Sequence, residues 1–234
     1  MNAARSSFHQ SRSSLMPHHT PTVFVVDDDI SVRESLESLI RFAGWQPQTF
    51  ACAQEFLSCP RVFVPSCLVL DVRLPDLNGL DLQKRIAPDR IDMPIIFITG
   101  HGDVPMSVRA MKAGAVEFLT KPYRDDVLLS AIEQALEYSH FALSRAAEMR
   151  SIRDCYASLS RRERQVMWLV VRGLLNKQAG CELGISEITV KAHRGNVMRK
   201  MKAGSFADLV TMAAKLGLAS SQITGTSTTE LPAL

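Results

Sequence analysis

The sequence predicts an α/β domain built on a doubly wound parallel sheet of five strands, followed by a small all-α domain of four helices. Three observations carry this. Short β-rich runs alternate with helical patterns five times between Val23 and about residue 138, and after that the pattern is helical alone. The charge changes sign between the same two regions. Residues 1–150 hold 15 Lys and Arg against 18 Asp and Glu, a net of −3, whereas residues 151–234 hold 12 against 6, a net of +6, together the +3 of the whole chain. Five successive βα units imply a parallel sheet with helices on both faces. An acidic front and a basic rear place any polyanionic partner on the rear.

The elements follow in order. Val23-Phe24-Val25-Val26 is a buried strand ending in Asp27-Asp28-Asp29. The segment Ser31–Ala43 carries Val32, Leu36, Leu39 and Ile40 at helical spacing, with Gly44 as its stop. A strand near 46–50 and a helix near 52–58 lead to Ser66-Cys67-Leu68-Val69-Leu70, a strand that ends in Asp71 with a Pro/Asn/Gly turn behind it. A helix from about Leu80, a strand over Pro94–Gly100, a helix over Val104–Ala113, a strand Glu117–Thr120 ending in Lys121-Pro122, and a helix from Asp125 complete the domain. No Pro or Gly lies between Tyr138 and Ala157, so a continuing helix is expected to join the halves.

The rear half is punctuated by caps. Ser160 with Glu163 forms an S/T-x-x-E capping box before an apolar run closed by Gly173. Asn176 begins a short helix ending at Leu183-Gly184, and Ser186 caps the next, through Thr189–Met201. Two short helices joined by Gly184-Ile185-Ser186 make a helix-turn-helix pattern. Val190, Val197 and Met201 repeat at core spacing in the last of these, while Lys191, Arg194, Arg199 and Lys202 are basic and suit phosphates and guanine edges.

The remaining features narrow the classes. Five cysteines (52, 59, 67, 155 and 181) form no CxxC or Cys/His cluster, which fits a reducing cytoplasm without a disulfide framework. No apolar stretch approaches the roughly 20 residues that span a bilayer. The first residues are Ser-rich with neither acids nor a signal-peptide core, and the last are Thr/Ser-rich, so tails over 1–21 and 219–234 are read as disordered.

The chemistry of the front half lies at the carboxyl ends of the strands, where open α/β sheets place their sites. Clustered carboxylates repel unless a cation neutralises them, which argues for a hard divalent ion such as Mg²⁺. A carboxylate can attack phosphorus, and the transferring group then needs cationic clamps, which the metal and Lys121 supply. Thr99, at the end of its strand, offers a hydroxyl to a phosphoryl oxygen.

With these residues in place, positions 22–138 resemble a response-regulator receiver domain, a flavodoxin-like fold. The resemblance implies Asp71 as phosphoacceptor, and Mg²⁺ held by Asp28, Asp71 and the backbone carbonyl of Arg73, with Asp27 acting through water. It further implies Thr99 as switch hydroxyl, Phe118 as switch aromatic, Lys121 as phosphoryl clamp and a cis peptide at Lys121-Pro122. The segments Thr99–Pro105 and Met111–Ala115 resemble the FixJ-type subgroup, which leans toward transcriptional activation. One rival stands beside it. Asp27-Asp28-Asp29-Ile30-Ser31 also reads as the DxDxS loop of haloacid-dehalogenase-like phosphatases.

Positions 153–218 resemble a LuxR-type DNA-binding domain through Arg161–Val166, Gly173–Gln178, Leu183–Ser186 and Thr189–Arg194, with 139–152 as helical linker. The resemblance implies Lys191 and Arg194 facing the groove and Asn176, Lys177, Thr189 and His193 nearer the backbone. Family members carry Ile-Ala where this chain has Ala179-Gly180. A lost buried Ile side chain costs about 2–5 kcal/mol, and Gly in a helix about 1 more. A weakened scaffold helix is therefore expected, with Trp168 placed to fill the gap. The implied partners are a sensor histidine kinase, promoter DNA, RNA polymerase and, on phosphorylation, a second copy of the chain; no membrane is implied. A regulator that binds DNA independently of phosphate is the alternative within the same class.

Overall fold

The computed structural model describes residues 20–86 and 92–218. The tails assigned to 1–21 and 219–234 fall outside the described residues except for Thr20 and Pro21, and the Pro21 carbonyl already accepts the Gln46 N–H at 2.9 Å. The chain divides into two compact units, residues 1–143 and 144–234.

In the first unit β1 (Thr22–Val26), β2 (Gln46–Phe50), β3 (Ser66–Asp71), β4 (Ile95–Thr99) and β5 (Glu117–Thr120) form one parallel sheet in the order β2-β1-β3-β4-β5. The intervening helices are α1 (Ile30–Phe42), α2 (Ala53–Ser58), α3 (Gly79–Ile86) and α4 (Val104–Lys112), and α5 (Asp125–Ala157) follows β5. Alternation along each strand sorts the core into two layers. Phe24, Leu68, Leu70 and Phe97 pack with Phe56, Leu82 and Ala110 of α2, α3 and α4, while Val23, Val25, Cys67, Val69, Ile96 and Ile98 pack with Leu36, Ile40, Leu128 and Ile132 of α1 and α5. This is the doubly wound five-stranded α/β fold that the alternation predicts. Burial pushes the Cys67 thiol up, so it stays protonated. At the far end of β3, the Ser139 hydroxyl on α5 accepts the Ser66 N–H at 3.0 Å.

The second unit holds α6 (Arg161–Val171), α7 (Asn176–Leu183), α8 (Glu187–Lys200) and α9 (Phe206–Lys215). The capping box is formed: the Glu163 N–H donates to Ser160 Oγ at 3.3 Å and the Ser160 N–H to Glu163 Oε2 at 2.7 Å. Ser186 caps α8 through the Thr189 N–H, so the helix starts at Glu187, two residues before Thr189. Leu159, Met167, Val197, Met201, Leu209 and Ala213 make one core cluster, and Val166, Leu169, Val170, Ala179 and Val190 a second.

The turn after α7 closes directly on Gly180. Gly184 turns the chain at φ +66°, and the Ile185 N–H donates back to the Gly180 carbonyl at 3.0 Å. A Cβ on Gly180 would lie 2.8 Å from the Ile185 carbonyl oxygen, so in this chain the turn packs on α7 more closely than a side chain at 180 would allow. Ala179 is fully buried, and Trp168 packs at the edge of its cluster with the Arg172 guanidinium 4.2 Å above the ring.

Candidate functional site

The register of the sheet brings the acids together. Val26 pairs with Leu70, which puts Asp27 beside Asp71, and Asp71 pairs with Ile98, one residue before Thr99. Thr99 pairs with Thr120, so Lys121 emerges at the same edge. There the carboxylate oxygens of Asp27, Asp28 and Asp71 lie within 4.8 Å of one another. Lys121 Nζ donates to Asp27 Oδ2 at 2.6 Å and to Asp71 Oδ2 at 3.0 Å. Asp27 is wholly buried, Asp71 is 7% exposed and Asp28 faces solvent.

Burial and partners set the protonation of this cluster. Desolvation raises the Asp27 carboxyl above its ordinary range, against the lowering effect of Lys121 and of the Asp29 N–H. Burial alone would lower Lys121, yet its hydrogen bonds to Asp27 and Asp71 outweigh that and raise it, so the ammonium stays charged. The Arg73 N–H donates to Asp71 Oδ1 at 3.0 Å, and the Lys121-Pro122 peptide is cis.

Thr99 is fully buried, with its Oγ1 accepting the His101 N–H at 3.3 Å. Phe118 is half-buried against Phe97, ring centroids 6.1 Å apart.

Two anchors here carry no periodic signal in the sequence. Arg33 of α1 donates from Nη1 to the carbonyls of Asp27 at 2.7 Å and Asp28 at 2.9 Å, holding the acidic loop. Asp76 accepts the Ala53 and Gln54 N–H groups at 3.2 and 2.9 Å, tying the loop after Asp71 to the start of α2.

In the second unit α8 buries Val190 and Val197 and exposes Lys191, whose Nζ lies 3.0 Å from Glu187. Arg194 differs from Lys191: it is half-buried, its guanidinium 4.6 Å over the Phe206 ring, with Nη1 donating to Asn176 Oδ1 at 3.2 Å. Thr189 is exposed and shares a 2.8 Å contact with Ser186 Oγ, Lys177 is exposed, and His193 is half-buried. Glu163 accepts Lys200 Nζ at 2.6 Å, which joins the start of α6 to the end of α8. That hydrogen bond, with the one from the Ser160 N–H, holds the Glu163 carboxyl at about 2. The stacking of Arg194 on Phe206 and the Glu163–Lys200 pair were not legible in the sequence, because the partners lie on different helices.

Comparison with known proteins agrees with both halves. Residues 23–133 match the family model of the response regulator receiver domain, and residues 157–213 that of the bacterial regulatory proteins of the luxR family. Nodulation protein W of Bradyrhizobium diazoefficiens is 52% identical over 196 residues, covering 84% of this chain and 86% of that protein. The chain belongs to the two-component response regulators with a LuxR-type DNA-binding domain. Response regulator protein TodT of Pseudomonas putida is 46% identical over 86% of this chain and 88% of its own length. The solved structure of the response regulator StyR superposes with a TM-score of 0.78 at 49% identity, over 84% of this chain and 99% of that one.

As such a response regulator the protein is a transcription factor rather than an enzyme. The haloacid-dehalogenase reading falls with it. Such a phosphatase needs a second acidic motif after the lysine, and the acids there do not supply one: Asp125 opens α5, Asp126 pairs at the surface with Arg124 at 2.5 Å, and neither joins the converging carboxylates. Among the described residues no helix is long and apolar enough to cross a membrane.

Proposed function

We propose that Asp71 accepts a phosphoryl group from a sensor histidine kinase in the cytoplasm, and that this drives dimerisation and promoter binding. The observation that carries the reading is the convergence of three carboxylates within 4.8 Å around the Lys121 ammonium. All the converging donors are hard oxygens, a set that suits Mg²⁺. Asp28, Asp71 and the Arg73 carbonyl would hold the ion, with Asp27 acting through water, and it would neutralise phosphoryl oxygens. An Asp71 carboxylate oxygen forms the new O–P bond as the P–N bond to the kinase's phosphohistidine breaks, and the imidazole leaves with the electron pair. Lys121 bridges Asp27 and Asp71 beforehand and turns to the phosphoryl oxygens afterwards.

The Thr99 hydroxyl, whose oxygen accepts the His101 N–H, turns to donate its proton to a phosphoryl oxygen, and Phe118 moves into the space vacated, a local charge biasing a two-state element. The α4-β5-α5 face is the dimer surface. Val104, Val108, Met111 and Val127 are exposed on α4 and α5, which supports it. Residues 22–138 then act as receiver, 139–152 as linker and 153–218 as DNA-binding domain. Lys191 and Arg194 approach the major groove and Asn176, Lys177, Thr189 and His193 the phosphates, and the regulator activates through RNA polymerase.

The test is a mobility shift on the protein's own upstream region at fixed salt, because phosphate contacts make affinity salt-dependent. Acetyl phosphate with Mg²⁺ is expected to tighten wild type and leave Asp71→Asn unchanged. Equal binding by both overturns the phosphate switch while keeping DNA recognition. A solution mass unchanged by beryllofluoride overturns the dimerisation step.

A further inference from the structure

The exposed face of α8 carries an apolar side chain that neither fold nor charge explains. Ile188 is 79% exposed, the most exposed large apolar residue described in the second unit. It lies in the first turn of α8, and Ile188, Lys191, Ala192, Gly195 and Arg199 form one exposed stripe at i, i+3, i+4, i+7 and i+11. Val190, Val197 and Met201 share the same spacing on the opposite, buried side, so Ile188 contributes nothing to the core. Nothing lies within 4 Å of where a Cβ on Gly195 would be, so the middle of the stripe is open.

We infer that Ile188 reads the 5-methyl group of thymine in the major groove, making it a specificity-determining residue of this DNA-binding domain. The inference rests on the reading of α8 as the groove helix. Recognition helices meet base edges with their N-terminal residues, and Ile188 is the second residue of α8. Among base edges in the major groove only thymine presents an apolar group. An apolar protein partner would have to bury Lys191 and Arg199 beside it, whereas a duplex keeps those cations next to phosphates and acceptors.

The experiment compares two versions of one duplex, the upstream region amplified with thymidine or with deoxyuridine, which lacks every 5-methyl group. Wild type is expected to bind the deoxyuridine duplex about fourfold more weakly for each methyl group that Ile188 would have covered. Ile188→Ala is expected to show that weakening already on the thymidine duplex and no further weakening on the other. An unchanged circular-dichroism melt of Ile188→Ala shows that the domain is folded. If Ile188→Ala drops by the same factor as wild type between the two duplexes, or wild type ignores the methyl groups, the assignment is overturned while DNA binding stands. If wild type does not prefer the upstream duplex over random sequence, the reading of α8 fails and this assignment with it.

Discussion

The two charged sites of this molecule are built in opposite ways. In the receiver, Lys121 reaches Asp27 across 94 positions of sequence, and the partners are buried or nearly so. In the DNA-binding domain the cations lie within the 14 residues of α8 and its neighbours, and most are exposed. Buried charges must neutralise one another, which ties the charge balance of the receiver pocket to Lys121. Exposed charges interact weakly within the fold and remain available to a polyanion, at a strength that salt controls.

The sharpest break of that contrast is Lys121→Ala. It leaves Asp27 and Asp71 facing each other without their cation and is expected to cost the receiver about 2 kcal/mol, less than for a wholly buried pair because the side chain is 23% exposed. Urea unfolding measures this, and millimolar Mg²⁺ should restore part of the loss. By contrast, Lys191→Ala, whose pair with Glu187 is exposed, should leave stability within about 0.5 kcal/mol and weaken DNA binding.

Glu163 is the exception that tests the rule, a buried charge inside the DNA-binding domain. Glu163→Gln removes the Lys200 pair and is expected to cost about 1–2 kcal/mol. Because folding depresses its pKa, its contribution is complete above its ordinary value of 4.5 and disappears as pH falls through about 2. Thermal melts of wild type across that window should show the loss, and melts of Glu163→Gln should lack it.

Two smaller effects sharpen the comparison. Gly180→Ala ought to gain about 1 kcal/mol from helix propensity, yet its Cβ would meet the Ile185 carbonyl at 2.8 Å. A net loss of about 1 kcal/mol in melting experiments is therefore expected. Phe206→Ala removes the ring under Arg194, and losing a cation–π contact at a partly exposed site is expected to cost about 0.5–1 kcal/mol of stability in melting experiments.

Much of the fold was legible because each element announces itself locally. The caps at Ser160 and Ser186, the stop at Gly184 and the alternation of βα units all act within a few residues, and the structure keeps them. The acids and the lysine were legible as strand ends, since a parallel sheet gathers all its carboxyl ends at one edge. Arg33, Asp76 and Phe206 were not, because each acts on a group brought near only by packing.

The sequence by itself determined the order of elements, the identity of the two domains and which residue types stand at each strand end, for these depend on periodicity and short-range turn chemistry. Only the tertiary structure decided that Asp27 is buried under Lys121, that Arg194 is held rather than free, and that the Ile185 carbonyl closes on Gly180. Those are distances between atoms on separate elements, and packing, not pattern, sets them.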